Sequence, residues 1–225
     1  NESAIDYLIE AIHYRESENS PNLGISYANL GNAYKRQENF SEAIHWYQKS
    51  FDALQGEEFS RARIVCLRNM GDTYSKMNKY DEAEKKLKAA YVITKEMGNN
   101  ERDLAMYHFF MGGMYLRQEK LDSAQFMFSK AIAFFPKNRT FIFRSNSYLH
   151  LSEVYLKLID KQSGQKQELL TNAIDNGEMA MELAEKSGAI KQVNAAAKIL
   201  MKAYGKTQNK KKIIPTTSSL KHELT

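Results

Sequence analysis

The chain has 225 residues, of which 43% are hydrophobic, with 3 prolines, 11 glycines and 1 cysteine. This composition favours an all-helical protein with a sizeable core, and it excludes an internal disulfide framework and any run of the ~18 apolar residues that a membrane-spanning helix needs. The formal charge is +5, but three of these charges lie in "NKKK" at 209–212. Elsewhere both signs are mixed, so we expect neither nucleic-acid binding nor membrane contact.

The first predicted element is a helix over residues 2–18. Its opening, "ESAIDYLIEAI", places Ala4, Leu8 and Ala11 on one helical face, as small, large and small side chains. The same arrangement recurs further along the chain.

Three helix pairs are predicted next, over 24–60, 64–100 and 105–138. Their first helices carry "NLGNAY", "NMGDTY" and "FMGGMY", whose glycines Gly31, Gly71 and Gly112 recur at intervals of 40 and 41 residues. Twelve residues after each glycine comes an alanine on a small–large–small face: Ala43, Tyr47, Ser50; Ala83, Leu87, Ala90; Ala124, Phe128, Ala131. Small residues allow two helices to cross closely, and large neighbours fill the gaps, so the pattern predicts antiparallel pairs that stack.

A fourth pair is predicted over 145–188, with Ser152 of "HLSEVY" at the glycine position. The alanine of its second helix, Ala173, comes nine residues late, and the polar stretch "DKQSGQKQE" predicts an inserted loop at 160–168. A final first helix follows at 191–206, with Leu200 and Tyr204 in register. We expect 207–225 to be an irregular tail, because Pro215 and a Thr/Ser cluster oppose a helix.

These motifs resemble the tetratricopeptide repeat, and Pro136 stands where that repeat often closes. The resemblance implies a right-handed α–α superhelix of about five helix pairs, forming a single solenoid over 1–225. The period of 40 exceeds the usual ~34, so each helix should be longer by roughly a turn. The helix at 2–18 would be the second helix of a unit whose first helix lies upstream, so the sequence looks like a fragment.

In such repeats the first helices line a groove that binds peptides. Carried over position by position, the resemblance assigns to this groove Asn32, Lys35, Arg36, Arg68, Asp72, Lys76, Phe109, Leu116, Arg117, Leu149, Glu153 and Lys157. One rim is basic and the middle is apolar, so the expected partner is a protein or peptide with acidic and apolar groups.

Two other kinds of site are disfavoured by the sequence. Repeats that bind chaperone tails use cations at positions where this chain has Ala28, Met106 and Phe110, although Asn32 and Asn69 match. His150 and Glu153 have an i, i+3 spacing that can share a metal, but packing is the simpler explanation. We expect no metal, no cofactor and no catalytic residues, since no nucleophile set or phosphate-binding loop is present.

The sequence therefore predicts a non-enzymatic protein- or peptide-binding module. Its repeats resemble those of bacterial, Bacteroidetes-type signalling proteins, which implies a sensory or docking region of a larger regulatory protein. That context would place the chain in the periplasm, and otherwise it would be cytoplasmic. A cytoplasmic peptide-pheromone receptor or phosphatase-like regulator, and a scaffold for a multiprotein complex, remain alternatives, and the sequence leaves the oligomeric state open.

Overall fold

A computed structural model describes residues 4–18, 20, 22–98, 100–135, 141–161 and 163–207, with the backbone alone at 57 and 163. Within these ranges all regular structure is helical, which confirms the predicted all-α class. The α-helices are α1 (Ala4–Ser17), α2 (Leu23–Arg36), α3 (Phe40–Ala53), α4 (Ser60–Lys76), α5 (Tyr80–Glu96), α6 (Glu101–Arg117), α7 (Leu121–Phe134), α8 (Phe141–Lys161), α9 (Lys166–Lys186) and α10 (Ile190–Gly205). Short 3₁₀ segments lie at Glu57–Phe59 and Ser163–Gln165.

The helices form two compact units, Asn1–Phe134 and Phe135–Thr225. In the first unit α2, α4 and α6 each pack against the helix that follows, and α4 also contacts both α2 and α6. In the second unit α8 packs against α9, and α10 contacts both. Within each unit the helices thus pack as sequential neighbours, while the single solenoid over 1–225 stays a prediction.

Glycine makes the close helix crossings of the first unit possible. A Cβ on Gly31 would lie 2.7 Å from the Tyr47 ring, and one on Gly71 would lie 2.7 Å from Leu87. On Gly112 it would lie 2.9 Å from the Phe128 ring. Because these large side chains are fully buried, the predicted pairing of small and large residues is confirmed.

The turns inside the first three pairs share one backbone geometry. Glu38, Asn78 and Glu119 follow α2, α4 and α6 with positive φ of 60°, 60° and 57°. A left-handed residue at this point reverses the chain and brings the second helix back over the first. Two of the three are glutamates, so residue type alone does not identify this position.

The predicted loop at 160–168 is largely helical, which corrects that expectation. Helix α8 runs to Lys161 and α9 starts at Lys166, with a 3₁₀ segment between them. Leu158 and Ile159 on α8 and Leu169 and Leu170 on α9 are buried. Because these side chains gain apolar contact, the additional residues lengthen both helices of the pair to 21 residues each.

Other expectations differ at their edges or lie outside the described residues. Helices α6 and α8 begin at 101 and 141 instead of 105 and 145, and the Asn100 side chain caps α6 by accepting from the backbone N–H groups of Arg102 and Asp103. Pro136 and 208–225 of the predicted tail fall outside the described ranges. Of the helices described, none combines the length and hydropathy needed to cross a bilayer.

Candidate peptide-binding surface

The central feature of the first unit is one carboxylate that three cations share. Asp72 on α4 lies 3.5 Å from the Lys35 ammonium of α2, 3.9 Å from that of Lys76 and 3.4 Å from the Arg117 guanidinium of α6. We call these four residues the Asp72 cluster. All four were predicted groove residues, and the structure brings them together on the surface formed by three successive first helices.

The Asp72 cluster is partly exposed. The side chain of Asp72 is 14% exposed and that of Lys35 18%, whereas those of Lys76 and Arg117 reach 37% and 36%. Burial lowers the pKa of Lys35, and the neighbouring Lys76 lowers it further, while Asp72 acts in the opposite direction. The cluster therefore offers two accessible cations above a more deeply set ion pair.

Hydrogen bonds to α4 fix the orientation of the Arg117 side chain. Arg117 Nη1 donates to Ser75 Oγ at 3.2 Å, while its Nη2 donates to Asp72 Oδ1 at 3.4 Å. The Tyr80 hydroxyl on α5 lies 2.8 Å from Asn78 Oδ1 and 3.3 Å from the Arg117 carbonyl. Both guanidinium hydrogen bonds go to α4, and this fixed orientation reduces the entropy cost of binding an anion.

Asn32 occupies a predicted groove position and is held in a polar network beside the cluster. The buried Tyr47 donates its hydroxyl to Asn32 Oδ1 at 2.7 Å, and Asn69 Nδ2 donates to the same atom at 3.2 Å. Lys35 in turn donates to Asn69 Oδ1 at 3.3 Å. Burial raises the pKa of Tyr47, so its hydroxyl remains a donor.

Arg68 differs from the other predicted groove cations because its charge is buried. Its guanidinium lies 2.9 Å from Asp103 of α6, and the two side chains are only 10% and 17% exposed. Burial lowers the pKa of Arg68, against the opposing effect of Asp103. The structure thus places Arg68 in an ion pair that joins α4 to α6, not at the accessible surface. No motif in the sequence points to Asp103 as its partner.

The predicted apolar middle of the groove is mostly packed inside the first unit. Leu116 is buried, and the half-buried Phe109 lies edge-on to Phe110 and Phe128, with ring centroids 5.5 Å and 6.0 Å away. Exposed apolar side chains are instead found at Ile25 of α2 and Val65 of α4. Arg36, the remaining predicted cation of this unit, is exposed at the end of α2.

The second unit carries the other three predicted groove residues on α8. Leu149 is half-buried against the cluster that includes Ala180, Ala196 and Leu200. Glu153 lies 3.5 Å from His150 Nδ1, and this neighbouring imidazole lowers the pKa of Glu153, with smaller contributions from Lys157 and Lys202. Among the described residues no group of three or more His, Cys, Asp and Glu side chains is placed to hold a metal ion.

Comparisons with known proteins agree with the helical pairs. Residues 24–55 and 63–137 each match a family model described as "Tetratricopeptide repeat". No curated protein matches the chain. Of the solved structures, BtubC (BKLC) from P. vanneervenii is similar in fold, with a TM-score of 0.58 and 12% identity over 91% of this chain and 92% of that one. The TPR2AB domain of yeast Sti1, in its pHSP90 complex, has a TM-score of 0.39 and 15% identity over 89% and 78%.

Proposed function

We propose that this chain, which contains tetratricopeptide repeats in an all-α solenoid fold, is a non-enzymatic module that binds an acidic segment of a protein partner on α2, α4 and α6. Tetratricopeptide repeats are protein–protein interaction modules, and stacked repeats present extended binding surfaces. The observation that carries the proposal is the Asp72 cluster, in which three cations share one carboxylate.

The chemistry of this surface favours carboxylate or phosphate groups on the partner. An Arg and two Lys side chains at partial exposure can form charge-assisted hydrogen bonds that are stronger than neutral ones. Arg36 adds a further positive charge beside Lys35. In the Asp72 cluster three cations face one carboxylate, so an acidic partner would supply negative charge that the protein itself lacks there.

Apolar contacts with the partner would come from exposed residues nearer the N-terminal ends of α2 and α4, away from the Asp72 cluster. Ile25 and Val65 are 41% and 40% exposed. Ile25 lies about 15 Å along α2 from Lys35, at 1.5 Å per residue. The partner segment would therefore carry acidic and apolar groups about that far apart, consistent with an extended peptide of several residues.

The wider context of the module is proposed from the sequence resemblance. A sensory or docking region of a larger bacterial signalling protein would use this surface to recognise one acidic partner segment. A peptide-pheromone receptor would use it for a free peptide, and a scaffold would bind several proteins on separate surfaces.

The test is charge reversal at the two accessible cations. We expect Lys76→Glu with Arg117→Glu to weaken binding of a short fluorescein-labelled Glu/Leu peptide about tenfold or more, because each attraction becomes a repulsion. Fluorescence polarisation measures the affinity, and circular dichroism checks the fold.

The matched control reverses two exposed lysines elsewhere, Lys85→Glu with Lys191→Glu. This variant has the same net charge but leaves the Asp72 cluster intact, so its affinity should stay within about twofold. An equal loss in both variants, or no loss in either, would remove the proposed surface.

A further inference from the structure

The Asp72 cluster is neutralised less completely than the ion pair of Arg68 and Asp103, which also joins helices of the same unit. Arg68 and Asp103 meet one to one at 2.9 Å. Asp72, by contrast, has contacts of 3.4, 3.5 and 3.9 Å with three different cations. None of these three contacts reaches the distance of a short charge-assisted hydrogen bond, which is about 2.7–2.9 Å.

The cluster therefore keeps two uncompensated positive charges. With three cations and one carboxylate its formal charge is +2, and the partial burial of Lys35 and Asp72 weakens solvent screening. A group that carries two negative charges balances this excess, whereas a single carboxylate leaves half of it. A phosphomonoester carries about −1.5 to −2 at neutral pH, and two adjacent acidic side chains carry the same charge.

Asp72 itself opposes such a ligand. Its carboxylate lies at the centre of the three cations, so it takes donor capacity from an incoming anion and repels it. The guanidinium of Arg117 also donates to Ser75 Oγ, so its position does not depend on the Asp72 carboxylate alone.

We propose that Asp72 is a resident counter-ion that competes with the ligand, and that the cluster selects a dianionic group on the partner: a phosphorylated side chain or two adjacent carboxylates. This inference rests on the proposed function, since it assigns a role to one residue of the same surface. Asp72 is a specificity-determining residue: its charge sets how much negative charge a ligand must bring to be bound.

The experiment compares Asp72→Asn with the wild-type chain on three labelled peptides. The peptides are identical except for one site, which holds Glu, phosphoserine or Glu-Glu. We expect Asp72→Asn to tighten binding of the dianionic peptides about tenfold, the effect of removing one partly screened like charge, and the gain to shrink in high salt. A gain for phosphoserine alone identifies a phosphorylated partner, and an equal gain for Glu-Glu identifies a paired-carboxylate partner.

Further measurements distinguish a wrong role for Asp72 from a wrong proposed function. Glu96→Gln makes the same charge change at an exposed site on α5 and should leave all three affinities unchanged. Asp72→Ser is the second variant if Asp72→Asn does not fold. If the wild-type chain binds the acidic peptides and both Asp72 variants bind them equally or less well, the counter-ion role is wrong while the binding surface stands. If no variant binds any peptide, the proposed function itself is wrong.

Discussion

At the scale of single residues, burial decides what a cation in this fold does. Arg68 and Lys76 are both basic residues of α4 at predicted groove positions, two turns apart. The Arg68 side chain is 10% exposed and pairs with Asp103, whereas the Lys76 side chain is 37% exposed at the edge of the Asp72 cluster. One therefore stabilises the packing of α4 on α6, and the other is available to a partner.

This difference predicts that truncation destabilises the fold much more at Arg68 than at Lys76. Arg68→Ala should lower the free energy of unfolding by about 3 kcal/mol, because it leaves the largely buried carboxylate of Asp103 without its cation. Lys76→Ala should change it by less than about 1 kcal/mol, as expected for a solvent-screened pair. Urea unfolding followed by circular dichroism measures both. A loss below about 1 kcal/mol for Arg68→Ala would show that its pair with Asp103 contributes no more than an exposed pair.

At the scale of helices, the recurring pattern of small and large side chains is the feature of the sequence that predicts the helix pairs most directly. The pairs α2/α3, α4/α5 and α6/α7 were predicted because a glycine on one helix and a large residue on the next recur in phase. Both partners lie within about twenty residues of each other, so the pattern is local.

Features that depend on contacts between pairs were not predicted. The burial of Arg68 needs α4 to pack on α6, which brings in Asp103 from 35 residues away. Residues 160–168 were predicted as a loop because they are polar. The buried Leu158 of α8 and Leu169 of α9, on either side of the turn, supply enough apolar contact to extend both helices. For the candidate site, the repeat pattern named Asp72 and its three cations as groove residues, which stays a prediction. Their sharing of one carboxylate, and which cations are accessible, required the packed structure.

Substitutions at two neighbouring glycines of α6 test the close crossing of α6 and α7. Gly112→Ala should lower the free energy of unfolding by about 1–3 kcal/mol, because its Cβ would lie 2.9 Å from the Phe128 ring. Gly113→Ala should raise it by about 0.5–1 kcal/mol, because alanine is the better helix former. At Gly113 the nearest atom, on Arg117, is 3.5 Å away. Denaturant unfolding of the two variants is the measurement, and the same sign for both would contradict the proposed crossing.

At the scale of the whole molecule, the charge of the chain and the charge of the candidate site are separate quantities. The formal charge is +5, and three of those charges are the lysines at 210–212, outside the described residues. The Asp72 cluster alone carries a formal charge of +2. Both the net charge of the chain and the charge of the Asp72 cluster attract acidic peptides, but only the cluster belongs to a defined surface.

Neutralising each set of charges separates the two explanations. Changing the three lysines at 210–212 to Gln should alter the affinity for the Glu/Leu peptide by less than about threefold, because charges that do not contact the ligand directly are screened beyond about 8–10 Å at physiological salt. Lys76→Gln with Arg117→Gln removes fewer charges but should weaken binding about tenfold, since it removes direct partners of the ligand. Fluorescence polarisation at physiological ionic strength makes the comparison. A larger loss from the substitutions at 210–212 would mean that net charge, and not the surface of α2, α4 and α6, attracts acidic segments.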